Sequence, residues 1–575
     1  MKIAITLAAL RLSALRLSAF SLAAALSACA TLPASGPLPT PKAGQAVFSD
    51  IRLDSQRPGL AKPTTPQYEN PILPGYYPDP SITRVGDDYY LVNSSFAYYP
   101  GIPVFHSRDL VNWTQIGNAI DRPGMLDFSG LATSRGVFAP DITHHGDTFY
   151  ILNTCVDCKG NFLITAKSAA GPWSDPIWLP FGGIDPSLFW DDDGRAWIVY
   201  NDAPEGTPLY DGHRAIWLQE FDPKTNTLTG PRRVVVNGGV DISKKPVWIE
   251  GPHIYKTGGH YYLMAAEGGT SVNHSEVILR ADSVTGPYLP WSGNPILTQR
   301  DLDPARPAPI TSAGHADLVQ TQNGDWYAVF LATQPYTGDL YNTGRETFLL
   351  PVTWTDGWPV ILPHGQAIPR TVDWPKLPAQ TPETKTETHY TRFSHHYGYS
   401  YSVQAPLDWL QIRTPKTPFL EVFDTATVGL TALPEAIGDL SSHPAFIGLR
   451  QRHNEATFRT MLSYTPQAEG DRAGILAMQN DNFFLFFGIT LRDGQKRLEV
   501  TRRAGPTDPR DGVVVASIPA PAGRVALTAD FKDGKAVFRT GDTVVATDVD
   551  ATNLSTAKAG GFVGTVIGLY AFGAK

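Results

Sequence analysis

The chain is short of cysteine, of basic charge and of helical periodicity, and each shortage removes a class of answer. Three cysteines in 575 residues are too few for a disulfide-built scaffold. Cys29 lies in a leader-like stretch, which leaves Cys155 and Cys158, spaced C-V-D-C. No second ligand pair completes a zinc site and no helix start marks a redox motif, so these two read as a local disulfide or as two loop thiols. A net charge of −8 without a basic stripe offers nothing to track a phosphate backbone, which argues against nucleic acid as a partner. The apolar run from Leu17 to Ala28 is too short to span a bilayer. Between about Asn70 and Pro363 helical periodicity is almost missing.

What the chain does have is aromatic and turn-forming residues. Hydrophobic residues make up 42% and aromatic residues 11% of it, and Gly 52 and Pro 49 suit a fold with many turns. At 575 residues it is too long for a single core. Lys2, Arg11 and Arg16 precede the apolar run, which ends Leu26-Ser27-Ala28-Cys29. That ending resembles a bacterial lipoprotein cleavage box. Residues 1–28 then read as a signal peptide, with Cys29 as the lipidated first residue that ties the protein to a membrane. The alternative is an ordinary secretory signal cut nearby. Ala30 rather than Asp after the cysteine favours the outer membrane, so the expectation is an exported protein, periplasmic or an outer-membrane lipoprotein. Residues 29–66, rich in Pro, Gly, Ser and Thr from Pro33 to Pro66, read as a tether.

From residue 67 a motif recurs: a carboxylate, a strand, a tight turn and an aromatic strand. Asp79-Pro80-Ser81 leads through Gly86-Asp87 to Tyr89-Tyr90-Leu91, and Asp141 through Gly146-Asp147 to Phe149-Tyr150. Asp185-Pro186-Ser187 leads through Asp193-Gly194 to Trp197, Glu250 through Gly258-Gly259 to Tyr261-Tyr262, and Asp317 through Asn323-Gly324 to Trp326-Tyr327. A repeat of this size built from several strands predicts propeller blades, five in all, over residues 67–371. An acid at the same end of each innermost strand would then ring one axial funnel. Residues 372–407, with Pro375, Pro378 and Pro382, read as a linker. Strand signals resume over 408–575 and suggest a β-sandwich. The predicted class is all-β: a five-bladed propeller followed by a sandwich.

Five carboxylates near one axis cannot all be ionised and idle, because burying a charge without a partner is costly. Two carboxylates across a pocket, one protonated and one not, are what glycoside hydrolysis needs, and a third can tune the acid. Glu250 has the longest side chain of the set, which suits a proton donor that must reach a glycosidic oxygen. Asp141 and Asp317 read better as strand-start acids that cap neighbouring amides. Arg345 is either a pocket or carboxylate ligand or a surface charge paired with Glu346, and the apolar run that follows it favours burial. His315, just before Asp317, is either ordinary structure or a candidate metal ligand on the axis.

Taken together and in order, Tyr77-Pro-Asp-Pro-Ser, Ala139-Pro-Asp-Ile, Ile184-Asp-Pro-Ser-Leu-Phe, Glu250-Gly-Pro-His-Ile-Tyr, Ala265-Ala-Glu-Gly-Gly-Thr270, Gly314-His-Ala-Asp and Gly344-Arg-Glu-Thr resemble glycoside hydrolase family 43. The likeness is to its two-domain β-xylosidases and α-L-arabinofuranosidases. It implies an exo-acting, inverting hydrolase that releases terminal β-D-xylose and/or α-L-arabinofuranose from xylan-type oligosaccharides. By that resemblance Asp79 is the general base, Glu250 the general acid and Asp185 the residue that tunes and orients it. An inverting pair should stand about 6.5–9.5 Å apart. The resemblance also makes Arg345, Phe96, Phe138 and Thr270 substrate-binding residues. Phe138 stands where the family often has Trp, which changes the size of the wall. Phe562, on a loop of the second domain, would wall off one side. No cofactor is required, although His315 matches a histidine that in some relatives attends a calcium ion on the axis. The rivals are a retaining fructan or sucrose hydrolase of the same architecture, whose Asn-Asp-Pro-Asn-Gly type motif is absent, and a non-catalytic sugar-binding lipoprotein.

Overall fold

The computed structural model describes residues 39–56, 66–380 and 406–574, and the backbone of short strands at 388–390, 394–397 and 401–404. The leader at 1–28 and Cys29 lie outside the described residues, as do parts of the segments read as tether and linker.

Five antiparallel sheets follow one another between Ser81 and Val360. Their innermost strands are Ser81–Val85, Asp141–His145, Ile184–Trp190, Glu250–Thr257 and Thr311–Gln320. In each sheet the chain steps outward through three further strands, as in Ile184–Trp190, Ala196–Asp202, Ala215–Asp222 and Thr227–Asn237. The turns between first and second strands are the Gly-Asp, Asp-Gly, Gly-Gly and Asn-Gly pairs of the repeat. In the third blade the first and second strands are mostly buried, whereas the outermost, Thr227–Asn237, is mostly exposed. The result is a five-bladed propeller. Its ring is closed by the segment ahead of the first blade: Gln67–Glu69 pairs with Thr371–Asp373, and Leu73 bridges Thr347 in the fifth blade. Asn70 locks this closure from the side chain, donating to Leu349 O and accepting from Leu349 N at 2.8 and 2.9 Å.

The second domain is a sandwich of an eight-stranded and a six-stranded sheet. Phe458, Leu462, Leu527 and Phe538 from one sheet meet Ile447, Ile475, Phe487 and Leu569 from the other in a single core. One of its strands corrects the sequence reading. Gln45–Gln56, placed in the tether, is a strand of the eight-stranded sheet, paired on one side with Thr427–Thr431 and on the other with Glu455–Ser463. The reason is apolar patterning hidden by polar neighbours: Phe48, Ile51 and Leu53 point into the sandwich core. The linker is likewise not free of structure, since Thr388–Tyr390 pairs with the same strand at Asp54 to Arg52.

Propeller and sandwich share an interface. Gln411–Ile412 pairs with Tyr98–Tyr99 of the first blade. Around it Tyr76, Phe96 and Tyr98 pack with Leu410, Phe446, Phe484, Val563 and Tyr570. Arg413, wholly buried, donates to Leu131 O, Ser442 O and the Asp481 carboxylate at 2.7, 3.2 and 2.5 Å. Asp481 also accepts from Thr133 N at 3.2 Å, so the charge pair holds a propeller loop onto the sandwich. Cys155 and Cys158 are joined as a disulfide at the turn between Thr148–Val156 and Gly160–Ala166.

The N-terminal strand provides a test. Phe48→Ala removes a fully buried ring from the sandwich core and is expected to cost about 3–5 kcal/mol, read by urea denaturation. A change within about 0.5 kcal/mol, the scale of surface substitutions, would return the segment to a tether.

Candidate active site

The acids of the repeat reach the axis at two depths. Asp79 lies just ahead of the first blade's inner strand, and Asp185 and Glu250 lie at the start of those of the third and fourth. Local backbone irregularity aims them. Strand pairing slips between Ile184 and Ser187, between Glu250 and His253, and twice between Thr311 and Asp317. Such bulges redirect single side chains. Asp79, Asp185 and His315 all have φ of 52°, a left-handed conformation that costs a non-glycine residue about 1–3 kcal/mol and concentrates at functional sites. Gly251 belongs to the same arrangement. Its φ is 55°, and a Cβ there would lie 2.8 Å from His315 Nε2, so only glycine lets the histidine pack behind Glu250.

Asp79 is held by three neighbours. Arg345 Nη1 donates to its Oδ1 at 2.9 Å, Ser94 Oγ to its Oδ2 at 2.5 Å, and His315 Nδ1 lies 3.7 Å from Oδ1. Burial by itself would raise the pKa of Asp79, but Arg345, His315 and the Ser94 hydrogen bond outweigh it and hold it below the ordinary carboxylate value. Asp185 and Glu250 go the other way. Burial, then the charges of Glu250 and Asp79, push Asp185 well up. Burial and Asp79 raise Glu250 to about 7, against the pull of Arg345 and Arg214. The pocket therefore sets one ionised carboxylate against a coupled pair that retains a proton near neutral pH.

Arg345 gathers the other predicted residues. It is buried, donates to Thr270 Oγ1 at 3.1 Å and Phe562 O at 3.4 Å, and its guanidinium lies 5.9 Å from the Phe96 ring and 5.4 Å from the Phe562 ring. Phe96 and Phe562 stack at 6.0 Å, and Phe138 meets both edge-on at 5.5 and 5.7 Å. The surface-pair alternative for Arg345 is excluded: Glu346 is wholly buried and accepts from Gly75 N and Gln334. The loop that brings Phe562 in from the sandwich passes against Gly344, where a Cβ would stand 2.6 Å from Tyr76 Cβ and 2.9 Å from Gly564.

Asp141 and Asp317 form a deeper layer with the capping role their sequence context suggested. Asp141 accepts from Leu188 N at 2.9 Å, and Asp317 accepts from Ile82 N, Ser81 Oγ and Tyr255 OH at 2.8, 2.9 and 2.7 Å. Burial and the neighbouring Asp317 push the Asp141 carboxyl well up. Together with His253 they bring three ligand atoms within 4.8 Å of one another. His315, the residue matched to calcium, is not part of this group. Calcium takes six to eight oxygen ligands. Among the described residues this group supplies two carboxylates and one ring nitrogen, and the carboxylates are already hydrogen-bonded to four groups of the inner strands. The donor set does not fit calcium.

Several contributors escaped the sequence reading. Ser94 touches Asp79 directly. His274, buried, with Nδ1 3.0 Å from Ser312 O, is kept neutral because burial lowers its pKa to about 3. Asn93 follows the second strand of the first blade, and Asn153 and Asn201 lie towards the ends of those of the second and third. Each donates to a carbonyl just ahead of an inner-strand start: Tyr77 and Pro78, Phe138, and Ile249 respectively. That recurrence, an Asn in or just after the second strand of three successive blades, was a signal available in the sequence.

One ionised carboxylate facing a protonated carboxyl pair, in a pocket walled by aromatics, is the equipment for acid–base cleavage of a glycosidic bond, which defines a glycoside hydrolase. Residues 68–359 match the glycosyl hydrolases family 43 domain, and residues 401–575 match the β-xylosidase C-terminal concanavalin A-like domain. The chain is 37% identical to a xylosidase/arabinosidase of Butyrivibrio fibrisolvens, over 87% of this chain and 95% of that protein. It is 36% identical to a non-reducing end α-L-arabinofuranosidase of Bacteroides ovatus, over 88% and 91%. Among solved structures, a GH43_12 protein retrieved from a capybara gut metagenome superposes with a TM-score of 0.82 at 39% identity, covering 92% of this chain and 99% of the other. The protein belongs to glycoside hydrolase family 43.

The contact at Gly344 can be isolated by a paired substitution. Gly344 and Gly365 have the same φ, 74°, but a Cβ at Gly365 meets nothing within 4 Å. Gly344→Ala is expected to destabilise by about 1–3 kcal/mol more than Gly365→Ala, the usual cost of overpacking, in parallel denaturation curves. Equal losses would mean that the Phe562 loop does not press on this position.

Proposed function

We propose that the protein is an exo-acting, inverting hydrolase of terminal β-D-xylose or α-L-arabinofuranose in plant-wall oligosaccharides. In this reading Asp79 is the general base, Glu250 the general acid, and Asp185 the group that keeps the acid protonated and oriented. The observation that carries it is the opposed electrostatics of the three carboxyls around Arg345. Asp79, ionised, takes a proton from a water. That water attacks the anomeric carbon, and Glu250 gives its proton to the departing oxygen on the other side. Arg345, Thr270 and the Phe96–Phe138–Phe562 walls would hold the terminal sugar. Phe562, reaching in from the sandwich, supports a blind pocket that admits a chain end and not a chain middle. Both pentoses present similar hydroxyls, so activity on either or both is consistent with one pocket.

The anomer of the first product, followed by NMR, tests the mechanism, and retention would overturn it. Glu250→Gln is expected to lower turnover on the order of 10²- to 10⁴-fold, the usual scale for a general acid, with a smaller loss on an aryl pentoside whose leaving group needs no proton. Equal turnover of the two proteins would remove Glu250 from its role. The pH profile follows from the shifts. Activity needs Asp79 ionised and a proton on the Asp185–Glu250 pair. The acid limb should therefore fall below the ordinary carboxylate range, and the alkaline limb should descend as pH rises through about 7.

We further propose that the protein is exported and anchored by lipid on Cys29, with the active site presented to oligosaccharides outside the inner membrane. The Leu26-Ser27-Ala28-Cys29 ending supports this. Expressed in a bacterium, the wild type is expected in the membrane fraction and Cys29→Ser in the soluble fraction. An identical distribution would leave an ordinary secretory signal as the reading.

A further inference from the structure

Just ahead of Glu250, three loops of the third and fourth blades are tied together. Trp248 N donates to Gly212 O at 2.9 Å and Gly268 N to Val247 O at 2.8 Å, and a Cβ at Gly212 would lie 3.1 Å from Val247. These loops carry exposed apolar side chains: Leu209 at 70%, Val247 and Val272 at 45%, and Trp248 at 37%. Trp248 stands two residues ahead of Glu250 and has φ of 49°, an outlier for so bulky a residue. Its indole is backed by Arg214, whose guanidinium lies 4.5 Å from the ring. Arg214 is fixed in turn, donating from Nε and Nη2 to Asn201 Oδ1 at 2.9 and 2.7 Å, while the amide of the same Asn201 holds Ile249 O. One asparagine thus sets the position of the indole's backing and of the backbone entering Glu250.

We infer that Trp248, backed by Arg214, is the platform on which the leaving-group sugar rests, and that it makes this enzyme prefer oligosaccharides to small glycosides. The inference rests on the pentosidase reading above. The acid must stand beside the departing oxygen, so the departing unit lies on the side of Glu250 and away from Asp79. There it meets an indole with a cation on one face and solvent exposure elsewhere. A sugar ring presents an apolar face of C–H groups that packs on such a surface, and an aromatic held in place beforehand loses little freedom when it does so. The neighbouring Val247, Leu209 and Val272 extend the apolar rim for units further along.

The test compares two substrates that share the terminal pentose the wild type releases, a trisaccharide and the methyl glycoside, whose leaving group is too small to reach the indole. In Trp248→Ala the ratio of kcat/KM for the trisaccharide to that for the methyl glycoside is expected to fall at least about tenfold, and Trp248→Phe should recover most of it. The trisaccharide loss should sit mainly in KM. A role confined to holding the Glu250 backbone would lower both substrates alike and leave the ratio unchanged; that outcome, or full trisaccharide activity in Trp248→Ala, overturns the platform. A wild type inert on both substrates would instead overturn the pentosidase reading, and the platform with it.

Discussion

The buried ion pair between Arg345 and Asp79 is the constraint on which the rest of the site depends. Both side chains are almost without solvent, and an isolated charge in that position would be too costly to keep. The pair exists because its remaining valences are filled: Asp79 by Ser94, Arg345 by Thr270 and the Phe562 carbonyl. Through those partners a single guanidinium joins the first blade, the fourth blade, the fifth blade that carries it and the sandwich. Removing either member would leave the other charge unpaired, and removing Arg345 would also release three segments of the pocket together.

The same pair sorts the remaining acids. With Asp79 ionised, its charge and the burial of the pocket make a second and third charge nearby unfavourable, so Asp185 and Glu250 are pushed towards their neutral forms. The difference between the lowered and the raised carboxyls is thus not a property of Asp against Glu but of which carboxyl holds the arginine. One layer below, Asp141 and Asp317 resolve the same conflict differently, through hydrogen bonds from Ser81, Tyr255 and the amides of neighbouring inner strands. That layer ties the first, second, third, fourth and fifth blades to one another beneath the chemistry, and so keeps the reactive carboxyls at fixed spacing.

The sandwich is more than an appendage. Its Phe562 ring completes the aromatic box, its Arg413–Asp481 pair pins the propeller loop ahead of Phe138, and its core includes the strand at Gln45–Gln56 that precedes the propeller in the chain. Chain order and spatial order therefore interleave: sandwich strand, propeller, sandwich.

The architecture and the three principal carboxylates were legible in the sequence because they recur. An acid followed by a strand, a glycine turn and an aromatic strand, repeated five times, defines blades, and blades converge on an axis whatever their other residues are. Repetition is a local signal, and local signals survive in a linear reading. What depends on pairs distant in the chain became visible only once the chain was folded. Gln45–Gln56 looked like tether because its partners, Thr427–Thr431 and Glu455–Ser463, come after the whole propeller. The choice of Asp79 over Glu346 as the partner of Arg345 required the ring to close. The bulges that aim Asp185, Glu250 and His315 leave no mark in composition, and the Trp248–Arg214 stack exists only because two loops of different origin meet at Asn201. Which groups line the axis follows from the linear repeat; which of them ionises follows from the fold, because the fold sets which carboxyl shares the buried cation.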